Sequence, residues 1–228
     1  MRKAEKRYGK QVDELQEYLE KYPFLTLSAP LGKTIYREII KKKPPICDVE
    51  GTWYRTRPVK DSKIYHLEDM KAPPISSAGD GRYNHAGQSV LYLAENSSMQ
   101  EAVNDLNVSA VVWTQAYQIE EIPNILDLTN RWDNYDPSTS AVIVALLSSH
   151  TLNRKVLNRE NMWRPEYFIT RYIADCARLA NFNGIKYDST RGYGENIVIF
   201  DHTKLLIRAE GEPELKTYNP KVNSSHPV

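Results

Sequence analysis

Two glycine-marked segments constrain this chain more than any other feature. Gly81 to Ala94 (GRYNHAGQSVLYLA) joins a polar turn to a short apolar strand, and Gly184 to Ser189 (GIKYDS) is a strand entering a second turn ahead of Asn196 to Phe200 (NIVIF). Apolar runs this short, bounded by Gly and Asn, read as strands of a buried sheet rather than as helix. In both segments polar residues stand where a buried face begins, an arrangement suited to a site.

The rest of the chain sorts around these strands. Val12, Leu15, Leu19 and Tyr22 recur at helical spacing, as do Leu31, Ile35, Ile39 and Ile40 after Pro23 and Pro30, so two amphipathic helices are expected within residues 1–46. Lys41, Lys42 and Lys43 before Pro44 and Pro45 suit a solvated helix C-terminus. From Gly51 the pattern becomes α+β. Strands are expected at 52–57, 90–94, 110–119, 125–128, 185–187, 196–200 and 204–208, and helices at 98–106, 138–147 and 167–181. Ala141, Val144, Ala145 and Ser148 form one helical stripe, and the last helix stops at Asn183-Gly184. Residues 216–228, rich in Pro, Asn and Ser, read as a flexible tail. The division is thus an N-terminal helical extension (1–46), a main domain (47–215) and a tail.

Charge and cysteine usage exclude several function classes. Thirty basic residues against 29 acidic give a net charge of +1, so no whole-chain attraction to nucleic acid exists, and no basic-aromatic stripe is present. Cys47 and Cys176 sit in no CxxC or Cys/His spacing, and Cys176 falls among Phe168, Ile169, Tyr172 and Ile173 as a small buried group. No segment has signal-peptide character or the apolar length of a membrane span, which makes the expected location cytoplasmic. His66, His85, His150, His202 and His226 fall into no metal-ligand pattern, so no metal is expected. Leu31-Gly32-Lys33-Thr34 imitates the end of a phosphate loop, but Leu27 stands where that loop needs its first glycine.

The constellation with chemical content is Arg55, Arg57, Arg82, Tyr92, Glu101 and Ser189. On a strand, Arg55 and Arg57 point to one face and Tyr54 and Thr56 to the other; two guanidinium groups side by side need water or an anion, and their fork matches phosphate oxygens. Taken singly, Tyr92 reads as core, Glu101 as helix surface and Ser189 as a turn residue.

In combination and order, these pieces resemble the signature of the RES domain, named for its Arg, Glu and Ser. The match runs through Tyr54-Arg55, Arg82-Tyr83-Asn84 with Gly87, Leu91-Tyr92-Leu93-Ala94, Glu101, Gly184 to Ser189 and Asn196 to Phe200, over roughly residues 50–208. The resemblance implies an ADP-ribosyltransferase-like α+β fold of mixed sheets flanked by helices. It also implies a toxin that consumes NAD and is neutralised by a helix-turn-helix antitoxin. NAD is then substrate, with no bound prosthetic group. Cleavage of the nicotinamide–ribose bond builds positive charge on the ribose, which a carboxylate stabilises; Glu101 takes that role. The family's acid falls at the position of Val103 here, two residues after Glu101, and Asp105 is the fallback.

Arg55 is assigned to the pyrophosphate with Arg57 as a weaker second contact, and Arg82 either assists or braces the turn. Tyr92 is assigned to stack on a ring of the substrate, and Ser189 to bond a ribose or phosphate oxygen. Inorganic phosphate, water or a protein side chain remain open as acceptor. ADP-ribosyl transfer to a protein and a catalytically silent nucleotide-binding module are the alternatives. A homodimer is compatible with the extension, whose other roles would be to brace the domain or to receive the antitoxin.

Overall fold

The computed structural model describes residues 2–59, 62–95, 110–129, 140–149, 151–154, 156, 163–190 and 194–218. Eleven principal elements are named here: α1 (Arg2–Lys21), α2 (Pro30–Ile40), β1 (Ile46–Pro58), α3 (Leu67–Met70), β2 (Leu91–Ala94), β3 (Ala110–Leu128), α4 (Ala141–Ser148), α5 (Phe168–Leu179), β4 (Gly184–Asp188), β5 (Glu195–Ile199) and β6 (Ile207–Tyr218). The expected α+β class is the observed one: helices flank a six-stranded mixed sheet.

The 19-residue β3 organises that sheet. Its first part pairs antiparallel with β6 on one side and β1 on the other, and its last part, Ile125 to Leu128, pairs parallel with β4. Because β4 pairs with β5, β5 with β2, and β2 returns to β1 at Tyr54 opposite Ala94, the pairings close into a ring of five strands. Sequence spacing suggests two strands, 110–119 and 125–128, where the structure has one. The intervening Pro123 lacks an N–H and Asn124 has φ of 59°, so the strand bends here and changes partners. Side chains secure the bend: Asn124 Nδ2 donates to Asn181 O at 2.6 Å and Asn183 Nδ2 to Pro123 O at 2.7 Å.

Alternation along the strands makes two cores. Leu91, Leu93, Ile197, Ile199, Ile125, Ile122, Ile119, Tyr117, Trp53 and Val49 fill the inside of the ring. Ile119, Ile122 and Ile125 have no exposed surface, and each contributes roughly 2 kcal/mol by its burial. The opposite faces of β2, β4 and β5 carry Tyr92, Ile185, Tyr187 and Val198 into a larger core beneath the helices. α4 is buried from Val142 through Leu147, beyond the single stripe expected, because α1 covers its outer side.

The N-terminal segment belongs to this larger core. Val12, Leu15, Leu19, Ile35 and Ile39 are buried with Leu146, Ile173 and Phe182. Gly32 serves packing: a Cβ there would meet Thr26 O at 2.0 Å, and its own carbonyl accepts from the Tyr172 hydroxyl at 2.8 Å. At the other end, β6 runs to Tyr218 through register with Ala110 and Val111, so residues expected as the start of a tail pair in a sheet. The expected strand at 204–208 is replaced by a short 3-10 turn at His202–Lys204 followed by the much longer β6. The helix expected at 98–106 lies outside the described residues.

Gly184 opens β4 where a Cβ would stand 2.3 Å from Val198 O on the neighbouring strand. Overpacking against backbone has no soft route to relief, so Gly184→Ala should destabilise the fold by about 2 kcal/mol or more. A lowered urea midpoint with unchanged slope would be the observed result.

Candidate functional site

Arg55 alternates with Trp53, whose ring is part of the inner core, so its side chain enters the space between the two halves of the ring. Its strand neighbour across the ladder is Gln115, and Arg57 faces Trp113. Among the described residues Arg55 makes no ion pair or hydrogen bond, and its Nε is buried without a partner. Burial, reinforced by repulsion from Arg57, pulls its pKa down to about 10, so it stays charged at neutral pH in a setting that disfavours the charge. The Tyr117 ring lies close enough to act on it, with the hydroxyl turned away to donate to Met70 O at 2.8 Å. Arg57 likewise has no carboxylate partner among the described residues.

His202 completes this mouth and escapes a reading of histidines by metal spacing. Burial, and after Asp201 the positive field of Arg55, act on its imidazole; the net effect lowers the pKa, leaving a neutral ring whose Nδ1 is buried and unpaired. The available sequence signal is its position two residues after the NIVIF strand.

Ser189 stands at a different place on the same ring. β2, β3 and β4 run parallel to one another, so the segments after Ala94, Leu128 and Asp188 leave from one end. Ser189 is there, its N–H donating to Gly194 O at 2.9 Å. Beside it Lys186 pairs with Glu195 at 2.6 Å, with side chains only 12 % and 10 % exposed, and Glu95 Oε2 accepts from the Glu195 N–H at 3.0 Å. Sequence reasoning passes over Lys186 and Glu195; alternation would have marked them, since they point opposite to Ile185 and Tyr187. Glu101 and Asp105 lie outside the described residues, on the segment that follows β2.

One crosswise row, Tyr54–Ala94–Asn196–Tyr187, spans β1, β2, β5 and β4. Arg55 is one residue to one side of that row and Ser189 two to the other. At about 4.8 Å between strands and about 3.3 Å per residue, the path between them over the curved sheet is ~17 Å.

Arg82 and Tyr92 lie on the other face and are used to build the turn. The Tyr92 hydroxyl donates to Asn84 Oδ1 and accepts from the Tyr83 N–H, both at 2.9 Å. Asn84 Nδ2 reaches the carbonyls of Gly79, His85 and Gln88. Arg82 sends Nη1 to Leu152 O and Nη2 to Arg154 O, both at 2.7 Å, with its guanidinium 4.9 Å from the Tyr167 ring centre. Arg82 thereby ties the turn to Leu152 and Arg154. Stacking of Tyr92 on a ligand is opposed by its packing under the helices, beside the Tyr83–Tyr187 ring pair.

The sequence profile of the RES domain matches residues 52–216, well over half of the chain, and the chain belongs to the RES domain family. No curated protein matches it by sequence. Among solved structures, a chain of the M. tuberculosis MbcT-MbcA toxin-antitoxin complex shares the fold with a TM-score of 0.50 at 12 % identity, over 83 % of this chain and 94 % of that one. Arg55 and Ser189 both fall inside the matched family region.

A desolvated guanidinium with an unpaired donor lowers stability unless a ligand compensates it. Arg55→Met should therefore raise the urea-unfolding free energy by about 1 kcal/mol while weakening anion binding, the opposite of what a purely structural arginine would give.

Proposed function

We propose that this RES-family protein is an enzyme that cleaves the nicotinamide–ribose bond of NAD, acting as the toxin of a toxin–antitoxin pair. The observation that carries this reading is the Arg55–Arg57 pair: two neighbouring cations on the inner face, one strongly desolvated, neither with a counter-ion among the described residues. A pyrophosphate supplies the oxygens that such a pair lacks. The ~17 Å sheet path from Arg55 to Ser189 suits a ligand as long as a dinucleotide.

The roles divide accordingly. Arg55 and Arg57 hold the pyrophosphate. Ser189, at the end where β2, β3 and β4 finish, bonds a ribose hydroxyl, and Glu101, carried on the segment after β2, stabilises the positive charge that develops on the ribose. Asp105 is the alternative acid on that segment. Arg82 and Tyr92 act indirectly by fixing the turn that precedes β2. Nicotinamide leaves by taking the bonding electron pair onto a nitrogen that was already cationic, so no proton donor is required. Transfer of ADP-ribose to phosphate, water or a protein completes the reaction. An antitoxin partner is proposed from the same family reading and from the toxin–antitoxin complex that shares the fold.

The test is release of nicotinamide from NAD by the purified chain, with and without inorganic phosphate. Arg55→Ala should raise KM with a smaller effect on kcat, whereas Glu101→Ala should lower kcat about 100-fold or more. A kcat loss on Asp105→Ala with Glu101→Ala active would move the acid to Asp105. Absence of release, with or without phosphate and with no label transferred to protein, would refute the enzymatic reading.

A further inference from the structure

Beyond the inner face, a groove of about 520 Å³ opens between Pro73 to Ile75, the Gly87–Ser89 turn and Phe200 to Thr203. Its size is within the range of small-ligand sites, and like them it has apolar walls and few polar groups. Pro73, Pro74, Ile75 and Phe200 make the apolar part. Ile75 is held out to solvent at 70 % exposure. Gly87 adopts φ of 84° and donates its N–H to Ala78 O at 2.8 Å, so the turn that forms one wall is a built feature.

The polar part is Arg178 and His202. Arg178 lies flat against the Phe200 ring, 4.0 Å from its centre, and forms no salt bridge with any described acid. Asp175, one turn earlier on α5, is engaged with His85 at 2.9 Å. The Nε and Nη2 of Arg178 are covered and unpaired, so Nη1 is the nitrogen left to meet an acceptor. Asp201, the groove's carboxylate, is paired with Lys204 at 2.7 Å and accepts from Thr203 Oγ1. Arg178 thus gives the groove a positive end next to an apolar slot, with Asp175 acting on it at a distance but not paired to it. The positive field of Arg55 reaches His202, so this groove lies within electrostatic range of the proposed pyrophosphate site.

We propose that this groove binds a nucleoside phosphate, with the phosphate on Arg178 and His202 and the planar base against the apolar wall of Pro73 to Ile75. A guanidinium preorganised on an aromatic ring loses little side-chain entropy on meeting a phosphate, and a base displaces water from the proline wall. The ligand comes either as the AMP half of the dinucleotide or as a free mononucleotide; the first source rests on the proposed NAD reading.

Calorimetric titration of the full chain with AMP tests the groove without reference to turnover. AMP should bind more tightly than adenosine, Arg178→Ala should weaken AMP at least about tenfold, and Arg178→Lys should restore little of it. Ile75→Trp, at an exposed wall position, should also weaken AMP by filling the slot, which covers the case in which Arg178→Ala does not fold. Competition between AMP and NAD assigns the site to the dinucleotide, and its absence to a free mononucleotide. Failure of AMP to bind, or equal binding by the wild type and both variants, overturns the proposal. Arg178-dependent AMP binding without nicotinamide release would keep the groove and defeat the NAD reading; nicotinamide release with no AMP binding would do the reverse.

Discussion

The bend of β3 at Pro123-Asn124 is the constraint on which the architecture depends. A straight strand would continue alongside β6; the bend transfers its last four residues to β4 and lets the pairings through β5 and β2 return to β1. The closed ring creates an interior, and the interior gives Arg55 somewhere to be desolvated. Cys47 registers the same enclosure near the bend, where burial and then Asp127 push its thiol up to about 11. The carboxyl ends of β2, β3 and β4 are gathered at one end for the same reason. Site and scaffold therefore have one origin.

Residues of the family signature differ in how the fold engages them. Arg55 occupies a position that packing alone does not reward, with a buried donor left unmet. Arg82, Asn84 and Tyr92 do the reverse. Every polar atom named on them is satisfied, and together they lock the turn between Gly81 and Gln88 beside α5 and tie it to Leu152 and Arg154. Thr170 Oγ1 donating to Arg82 O at 2.5 Å and Arg171 Nε donating to Gly81 O at 2.9 Å tie that turn to the helix from the other side. Holding the turn sets the entry of β2, and through β2 the ring closure at Tyr54.

Much of this was legible in sequence because alternation and helical spacing are local. The Leu91-Tyr92-Leu93-Ala94 strand, the NIVIF strand and the helix ending before Gly184 come out within a residue or two. The continuity of β3 did not, since a proline and a residue with positive φ ordinarily end a strand, and only the tertiary change of partner keeps this one going. The length of β6 was equally hidden: Gly211 and Pro213 interrupt its pattern, and pairing with β3 overrides them. That Arg55 and Arg57 share one face of a strand was readable from their alternation. The engagement of Tyr92 by the turn and the approach of His202 to Arg55 were not, because both join segments whose relative placement no local pattern encodes.

The charge stored at Arg55 is proposed to serve NAD cleavage. NAD labelled separately in its nicotinamide and adenine portions, incubated at a concentration well below KM with the purified wild-type chain and with Arg55→Met, tests this most directly. The account predicts that the wild type separates the two labels, nicotinamide going free and adenine remaining with ADP-ribose or its adduct, and that Arg55→Met does so far more slowly at equal or greater fold stability. Both labels staying together in intact NAD with the wild-type protein, or equal rates for the two proteins, would contradict it.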